Sequence, residues 1–228
     1  METDPAMCAK LLQLVNSAYF GLAQKVTDVQ RAVSYLGVET LRDLVLSVHV
    51  FDCGCGVPGL DLDSLRDASL LTARLAKRFA PDEATGHDAF TAGIVHNIGK
   101  IVVAKAAPDV FASVLRDAAE SGRSARALEK ERMGADHAEL GAYLLGVWGL
   151  PASVVQSVRY HHEPSACPGP VNRVLVALHA ADALLDEARG DGEAIVDRAF
   201  LDRHGVAAKL PEWKAIAARA LADATEGL

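Results

Sequence analysis

Side chains able to bind a divalent metal are spread through the middle and the last third of the chain. They are His96, Asn97, His137, His161, His162 and Asp182. Imidazole nitrogens and carboxylate oxygens are the usual ligands of Zn, Mn and Fe in proteins, so a cluster of them could form a metal site. Lys100, one turn after His96, and Arg159 could each contact a phosphate group. A site forms only if the fold brings these residues together, which their spacing alone does not show.

Helices are the elements that would have to position these residues. Ala and Leu are abundant and aromatic residues make up only 5% of the chain, which favours helix over strand. Apolar residues recur at helical spacing, and no segment alternates convincingly like a strand. The predicted helices cover residues 5–18, 27–36, 39–51, 63–79, 88–106, 108–120, 125–133, 136–148, 151–162, 171–189 and 211–223. The sequence therefore predicts an all-α fold, with Thr27 and Asp63 capping their helices and His96 inside one long helix.

A stretch rich in Gly and Pro at residues 53–59 is the best candidate for a boundary. It divides the chain into a small N-terminal helical lobe, residues 1–57, and a larger helical lobe, residues 58–228. The first lobe has only three predicted helices, too few to bury a core of its own, so we expect it to pack against the second. Cys53 and Cys55 are interpreted as reduced turn residues, since no further zinc ligands lie nearby.

Charge and hydropathy argue against a nucleic-acid or membrane protein. The formal net charge is −7, and no basic run occurs anywhere. The two helices joined at Gly37 could form a helix-turn-helix, but the second carries Arg42 among acidic residues, so DNA is not expected as a partner. No run approaches the roughly 20 apolar residues of a membrane span. The N-terminus lacks the basic start and apolar core of a signal peptide, and we expect a cytoplasmic protein.

Five ordered motifs stand out along the chain: DPAMCAKLLQLVNSAYFG at residues 4–21, AVSYLG at 32–37, AGIVHNIGK at 92–100, HAELGAYLL at 137–145 and RYHHEP at 159–164. Together they resemble the HDOD domain family. The resemblance extends over about residues 2–190. It implies an all-helical relative of the HD-domain phosphohydrolases, of the kind found in bacterial signalling proteins and mostly without demonstrated catalysis. The family usually starts further upstream, so the chain resembles a shortened member whose N-terminal lobe exposes apolar side chains and self-associates or binds a partner there.

The resemblance also implies what a working HD site would contain: a histidine on an earlier helix, the His-Asp pair, further histidines and a late aspartate. His96 matches the paired histidine, but Asn97 stands where the aspartate should be. A carboxylate can bridge two metals and balance their charge, whereas a neutral amide bridges poorly. The upstream histidine is also absent, and Ala68 is the matching position. His87 and Asp88 are not the pair, because they precede the predicted helix and lack the following Ile-Gly-Lys.

Two classes of function remain open after this comparison. The first is a non-catalytic signalling module that acts through protein partners or a bound ligand and keeps a degenerate metal site. The second is a metal-dependent phosphohydrolase acting on a nucleotide or cyclic dinucleotide. A catalytically inactive nucleotide sensor, with Lys100 and Arg159 on the phosphate, lies between them. We expect no cofactor, but the remaining ligands could either hold one divalent metal or form a hydrogen-bonded polar cluster in the core.

Overall fold

The computed structural model describes residues 5–16, 25–51, 56–170, 172–190 and 195–226. Every regular element in these ranges is a helix, which confirms the predicted all-α class. The α-helices are α1 (Pro5–Val15), α2 (Val29–Leu36), α3 (Val38–Phe51), α4 (Leu62–Phe79), α5 (Glu83–Val95), α6 (Ile98–Ala106), α7 (Pro108–Ser121), α8 (Ala125–Met133), α9 (His137–Val147), α10 (Ala152–Tyr160), α11 (Arg173–Arg189), α12 (Arg198–Arg203) and α13 (Leu210–Glu226). Short 3₁₀ turns lie at Pro164–Ala166 and Ala207–Lys209. The helix α12 was not predicted, and Cys53 and Cys55 lie outside the described residues.

Two helix starts differ from the prediction by one or two residues. Asp28, not Thr27, caps α2, since its side chain accepts the backbone N–H of Arg31 at 2.8 Å. Asp61, not Asp63, caps α4 and accepts the N–H groups of the first turn. In both cases the cap is an aspartate with extended backbone whose carboxylate reaches the unsatisfied N–H groups of the first turn.

The long helix predicted over residues 88–106 is wrong, because the chain turns at His96 and Asn97. The helix α5 ends at Val95 and α6 starts at Ile98, with Asn97 at φ −96° and ψ 10° between them. Apolar residues continue on both sides of the turn, so the hydrophobic pattern gave no sign of it. His87 and Asp88 lie inside α5, which is capped by Asp82, and not before it as predicted.

Backbone contacts at two glycines bring the helices of the middle region close together. A Cβ at Gly93 in α5 would lie 2.4 Å from the Cα of Ala73 in α4. A Cβ at Gly99 in α6 would lie 1.9 Å from the carbonyl oxygen of His137, at the start of α9. Neither position can hold a larger residue without a shift of a helix. The turn at residues 96–97 is therefore held against the first residue of α9.

One hydrophobic core runs through both predicted lobes. Leu11, Val15 and Leu44 from the first lobe belong to the same buried cluster as Leu71 and Val95 from the second. Thr91 in α5 also donates a hydrogen bond to Asp43 in α3 at 2.7 Å. A smaller cluster around Phe111 and Leu128 fills the space between α7 and α8. The first lobe packs on the second as expected, while the boundary near residue 57 stays a prediction.

Large exposed apolar side chains form two groups in the described part of the chain, and Val110 and Ile195 are exposed singly. In the first lobe, Tyr35 and Val38 are 59% and 64% exposed. The other group lies at the end of α9, where Tyr143, Val147 and Trp148 face solvent. Self-association through the N-terminal lobe stays a prediction, and its candidate contact is the turn between α2 and α3. No helix among the described residues has the length and apolar character needed to cross a membrane.

Candidate metal centre

The structure brings four histidines and one aspartate from distant parts of the chain into one buried cluster. His96 follows α5, His137 begins α9, His161 and His162 follow α10, and Asp182 lies in α11. The ring centroids of His161 and His162 are 3.9 Å apart, and that of His161 is 5.3 Å from His96 and 6.0 Å from His137. Asn97 joins them through its contact with His96. The predicted ligands therefore converge. His96 and Asn97 lie at the turn between α5 and α6, and the other histidines lie at helix ends.

Hydrogen bonds to backbone carbonyls set the tautomers of two of these rings. Nδ1 of His96 lies 2.7 Å from the carbonyl oxygen of Gly93, and Nδ1 of His161 lies 2.7 Å from that of Val158. Because a carbonyl oxygen only accepts, each Nδ1 must carry the proton. In the neutral ring the lone pair is then on Nε2, the nitrogen available to a metal.

Glu129 fixes the ring of His137 in the same orientation. Its Oε2 lies 2.7 Å from Nδ1 of His137 and accepts the backbone N–H of the same residue at 2.8 Å. Glu129 is fully buried, and burial raises the pKa of its carboxyl group against the opposing effect of its hydrogen bond from His137. A carboxylate behind a histidine orients metal ligands in many proteins. Sequence reasoning missed Glu129, although it lies four residues after the buried Ala125 and therefore on the same face of the helix.

Three histidines present their ring nitrogens to one point. Nε2 of His137 lies 3.0 Å from Nε2 of His162, and ligand atoms of His137, His161 and His162 all lie within 4.8 Å of one another. Nε2 of His161 is buried and has no hydrogen-bond partner among the described residues. Burial lowers the pKa of His161 to about 3 and that of His162 well below its usual value, so both rings are neutral at pH 7. An unsatisfied buried lone pair among neutral imidazoles fits a bound cation.

A second point of convergence lies between His96 and Asp182. Nε2 of His96 is 3.2 Å from Oδ1 of Asp182 and 2.8 Å from Nδ2 of Asn97. Burial raises the pKa of Asp182, but the adjacent His96 outweighs it, so the net shift is downward and the carboxylate is ionised at neutral pH. Nε2 of His96 thus lies between the amide of Asn97 and the carboxylate of Asp182, and a proton on this nitrogen or a cation beside it would satisfy the carboxylate oxygen.

His179 does not belong to the ligand set, although it lies one turn before Asp182 on α11. Its Nδ1 donates to the carbonyl oxygen of His161 at 2.7 Å, and its Nε2 accepts the backbone N–H of Asp197 at 2.9 Å. Both nitrogens are therefore satisfied. His179 positions the chain at His161, since it holds the backbone of that residue against α11.

The two cationic side chains that could contact a phosphate group, Lys100 and Arg159, differ in their surroundings. Lys100 is half-buried and close enough to lower the pKa values of Glu129 and His162, so it borders the cluster. Arg159 instead forms an ion pair with Glu139, with an N–O distance of 2.6 Å. A phosphate at Arg159 would have to displace that pair. Both assignments stay predictions, with the position of Lys100 the more favourable one.

No histidine from α4 reaches the cluster, because that helix contains none. Ala68, the position matched to the missing ligand, is half-buried, and the following residue Ser69 is fully buried. The hydroxyl of Ser69 donates to the carbonyl oxygen of Leu65 at 2.9 Å. The side of the cluster towards α4 therefore lacks a strong metal ligand at these positions.

The solved structures that the chain resembles share this helical fold. A Shewanella amazonensis SB2B protein provisionally named a phosphohydrolase is 27% identical, with a TM-score of 0.74 over 99% of this chain and 82% of that one. A Marinobacter aquaeolei VT8 protein provisionally named for signal transduction is 25% identical, with a TM-score of 0.71 over 98% of this chain and 53% of that one. An HDOD domain protein of unknown function from Geobacter sulfurreducens is 24% identical, with a TM-score of 0.75 over 98% of this chain and 79% of that one.

Sequence comparison leads to the same family. An uncharacterized protein of Treponema pallidum (strain Nichols) is 31% identical over 175 residues, which are 74% of this chain and 33% of that protein. The chain thus spans about a third of the length of this relative. The family model of the HDOD domain matches residues 1–164, the range that holds every cluster residue except Asp182. The chain belongs to the HDOD domain family.

Proposed function

We propose that this chain is a non-catalytic bacterial signalling module in which the histidine cluster holds one divalent metal. The observation that carries the proposal is the convergence of His137, His161 and His162 around the unpartnered Nε2 of His161. These three rings would be the ligands, and Glu129 would hold His137 from behind. A metal bound there supplies positive charge and Lewis acidity, and it would link the ends of α9 and α10 to each other.

Asn97 is the main reason for proposing a module without catalysis. Hydrolysis at an HD-like centre needs a carboxylate that can bridge metals and offset their charge, and an amide oxygen is neutral. The helix α4 contains no histidine that could add a fifth imidazole and complete a second metal position. Among the described residues, Asp182 is the only carboxylate that contacts His96, while Glu129 contacts His137.

The surface of α9 supports an action through a protein partner. This helix begins at the metal centre with His137 and ends in the exposed side chains of Tyr143, Val147 and Trp148. Exposed apolar side chains that cluster on one face are typical of protein contacts. Binding or loss of the metal at His137 would therefore act on this surface through one helix, α9. The name of the Marinobacter relative is consistent with such a signalling role.

The alternative is a metal-dependent phosphohydrolase. The name of the Shewanella relative and the retention of several histidines favour it. In that case Lys100, at the border of the cluster, would hold the phosphate of the substrate. The amide of Asn97 is neutral and cannot replace the bridging carboxylate of an HD pair, which argues against hydrolysis.

Metal analysis of purified protein tests the proposal. We expect about one Zn, Mn or Fe ion per chain by elemental analysis, as for a site with three histidines. His161→Ala and His137→Ala should each remove the metal, whereas His87→Ala, in α5 outside the cluster, should retain it. Protein that binds no metal even after incubation with each ion would contradict the proposed centre, and so would equal binding by all three variants.

A further inference from the structure

A groove separate from the histidine cluster lies between α4 and α13. Its volume is about 650 Å³, within the range of roughly 300–1,000 Å³ that is usual for ligand sites. Three arginines line it, Arg74 and Arg78 from α4 and Arg219 from α13. None of its lining residues belongs to the metal centre. The function proposed above therefore leaves this groove without a role.

Arg74 is the unusual residue of the groove. It is half-buried, yet no ion pair or hydrogen bond of its guanidinium occurs in the described part of the chain. Arg78, one turn later on the same helix, likewise has no such partner among those residues. Withdrawing a cation from water is costly unless an anion compensates it. Burial accordingly lowers the pKa of Arg74, against the weaker opposite influence of Asp223.

The acidic residues of the groove offset the charge of these arginines only in part. Asp223 is 3.9 Å from Arg219, a long contact between two exposed groups, and Glu212 makes no ion pair within the described ranges. Three cations against two carboxylates leave a positive surplus in a chain whose formal charge is −7. Guanidinium groups bind phosphate through paired N–H donors, and neighbours at i and i+4 can share one phosphate.

The opposite wall of the groove, formed by α13, is apolar in part, alongside the charged side chains of Glu212, Arg219 and Asp223. Ile216, Ala220 and Ala224 follow one another at i, i+4 and i+8 along α13, so they share one face of the helix. The rings of Phe79 and Trp213 stack between the two helices with centroids 4.7 Å apart and planes at 15°. This contact fixes α13 against the end of α4 and preforms the groove. The site therefore holds the two arginines of α4 and the apolar residues of α13 in fixed positions.

We propose that this groove binds an organic phosphate of mononucleotide size. The phosphate would lie on Arg74 and Arg78, and the apolar body of the ligand would lie along Ile216 and Ala220. Such a ligand satisfies the guanidinium of Arg74 and covers the exposed part of the apolar wall. This gives the domain a ligand site independent of the metal centre.

Calorimetric titration with AMP, adenosine and inorganic phosphate tests the proposal. AMP should bind more tightly than inorganic phosphate, and adenosine should not bind measurably. Arg74→Gln and Arg78→Gln should each weaken AMP binding by about tenfold or more, as expected for the loss of a charge-assisted hydrogen bond. Arg198→Gln, an exposed arginine on α12, is the matched control and should bind like the unmodified protein.

The same titration separates this groove from the metal centre. His161→Ala should leave AMP binding unchanged, and thermal unfolding of each variant verifies that it is folded. The proposal is overturned if AMP does not bind the unmodified protein, if Arg74→Gln binds AMP as tightly as Arg198→Gln, or if binding is lost in His161→Ala alone.

Discussion

Nε2 of His96 lies 3.2 Å from Oδ1 of Asp182, within a cluster where both side chains are almost fully buried. The Asn97 amide nitrogen is also 2.8 Å from the same ring nitrogen. The carboxylate of Asp182 is ionised at neutral pH, because burial raises its pKa less than the adjacent His96 lowers it. A buried carboxylate needs a proton on its partner or a cation beside it, so this pair places a negative charge next to the three-histidine site.

Replacement of Glu129 by Gln should weaken metal binding without unfolding the protein. The amide can still contact Nδ1 of His137, but it removes the negative charge that orients the ring and strengthens it as a ligand. The loss should be about 10- to 100-fold in metal affinity, the usual effect of removing such a partner. Competition with a chromogenic chelator measures it. Glu131→Gln, an exposed acid of the same helix paired with Arg123, is the control and should change nothing.

The metal-free protein should lose stability as the pH falls below about 6.5. The pKa of His161 is lowered by burial to about 3, so between these values the unfolded chain binds a proton that the folded chain does not. Stability from this group is complete above the usual histidine pKa and decreases as the pH falls, by at most about 1.4 kcal/mol per pH unit. His162 acts in the same direction.

Urea unfolding in EDTA between pH 5 and 7 measures this dependence. The raised pKa of Glu129 acts in the opposite sense, so the informative quantity is the difference from His161→Ala. In that variant the free energy of unfolding should change less with pH than in the unmodified protein. An identical pH dependence would mean that His161 is not buried in the neutral form.

A methyl group at Gly99 should disrupt the metal centre. The added Cβ would lie 1.9 Å from the carbonyl oxygen of His137, so α6 must move away from α9. Overpacking of this kind costs about 1–3 kcal/mol, and the shift should also reduce metal binding. The control is Gly146→Ala in α9, where the nearest atom is 4.0 Å away. That change should instead stabilise the helix by about 0.5–1 kcal/mol. Equal stability of the two variants would contradict the close contact.

Replacement of Asn97 by Asp should raise metal affinity but restore little hydrolysis. A second carboxylate near Asp182 would repel it in the metal-free protein and attract a divalent cation when one is supplied. The double change Asn97→Asp with Ala68→His should increase metal content further, at a cost of about 1–3 kcal/mol from the larger side chain in α4. Elemental analysis and thermal unfolding measure these effects. Full hydrolytic activity of Asn97→Asp alone would show that a histidine at position 68 is not needed.

The ligands of the centre were predictable from motifs, but their geometry was not. The motifs at residues 92–100, 137–145 and 159–164 identify the histidines, and helical periodicity identifies most of the helices that carry them. The break at His96–Asn97 escaped prediction because apolar residues continue through it and the cause is a tertiary contact at Gly99. Glu129 escaped because an acid in a charged helix such as α8 normally faces solvent. The role of His179 depends on a backbone N–H from Asp197, which sequence spacing cannot place.

The central claim, a metal-binding module without catalysis, is tested most directly by a hydrolysis assay on metal-loaded protein. The substrates are bis-p-nitrophenyl phosphate and cyclic dinucleotides, and the metal content of the same sample is measured by elemental analysis. The predicted result is about one ion per chain with no turnover above that of His137→Ala. Metal-dependent hydrolysis by the unmodified protein, abolished in His137→Ala and in Asp182→Ala, would contradict the account.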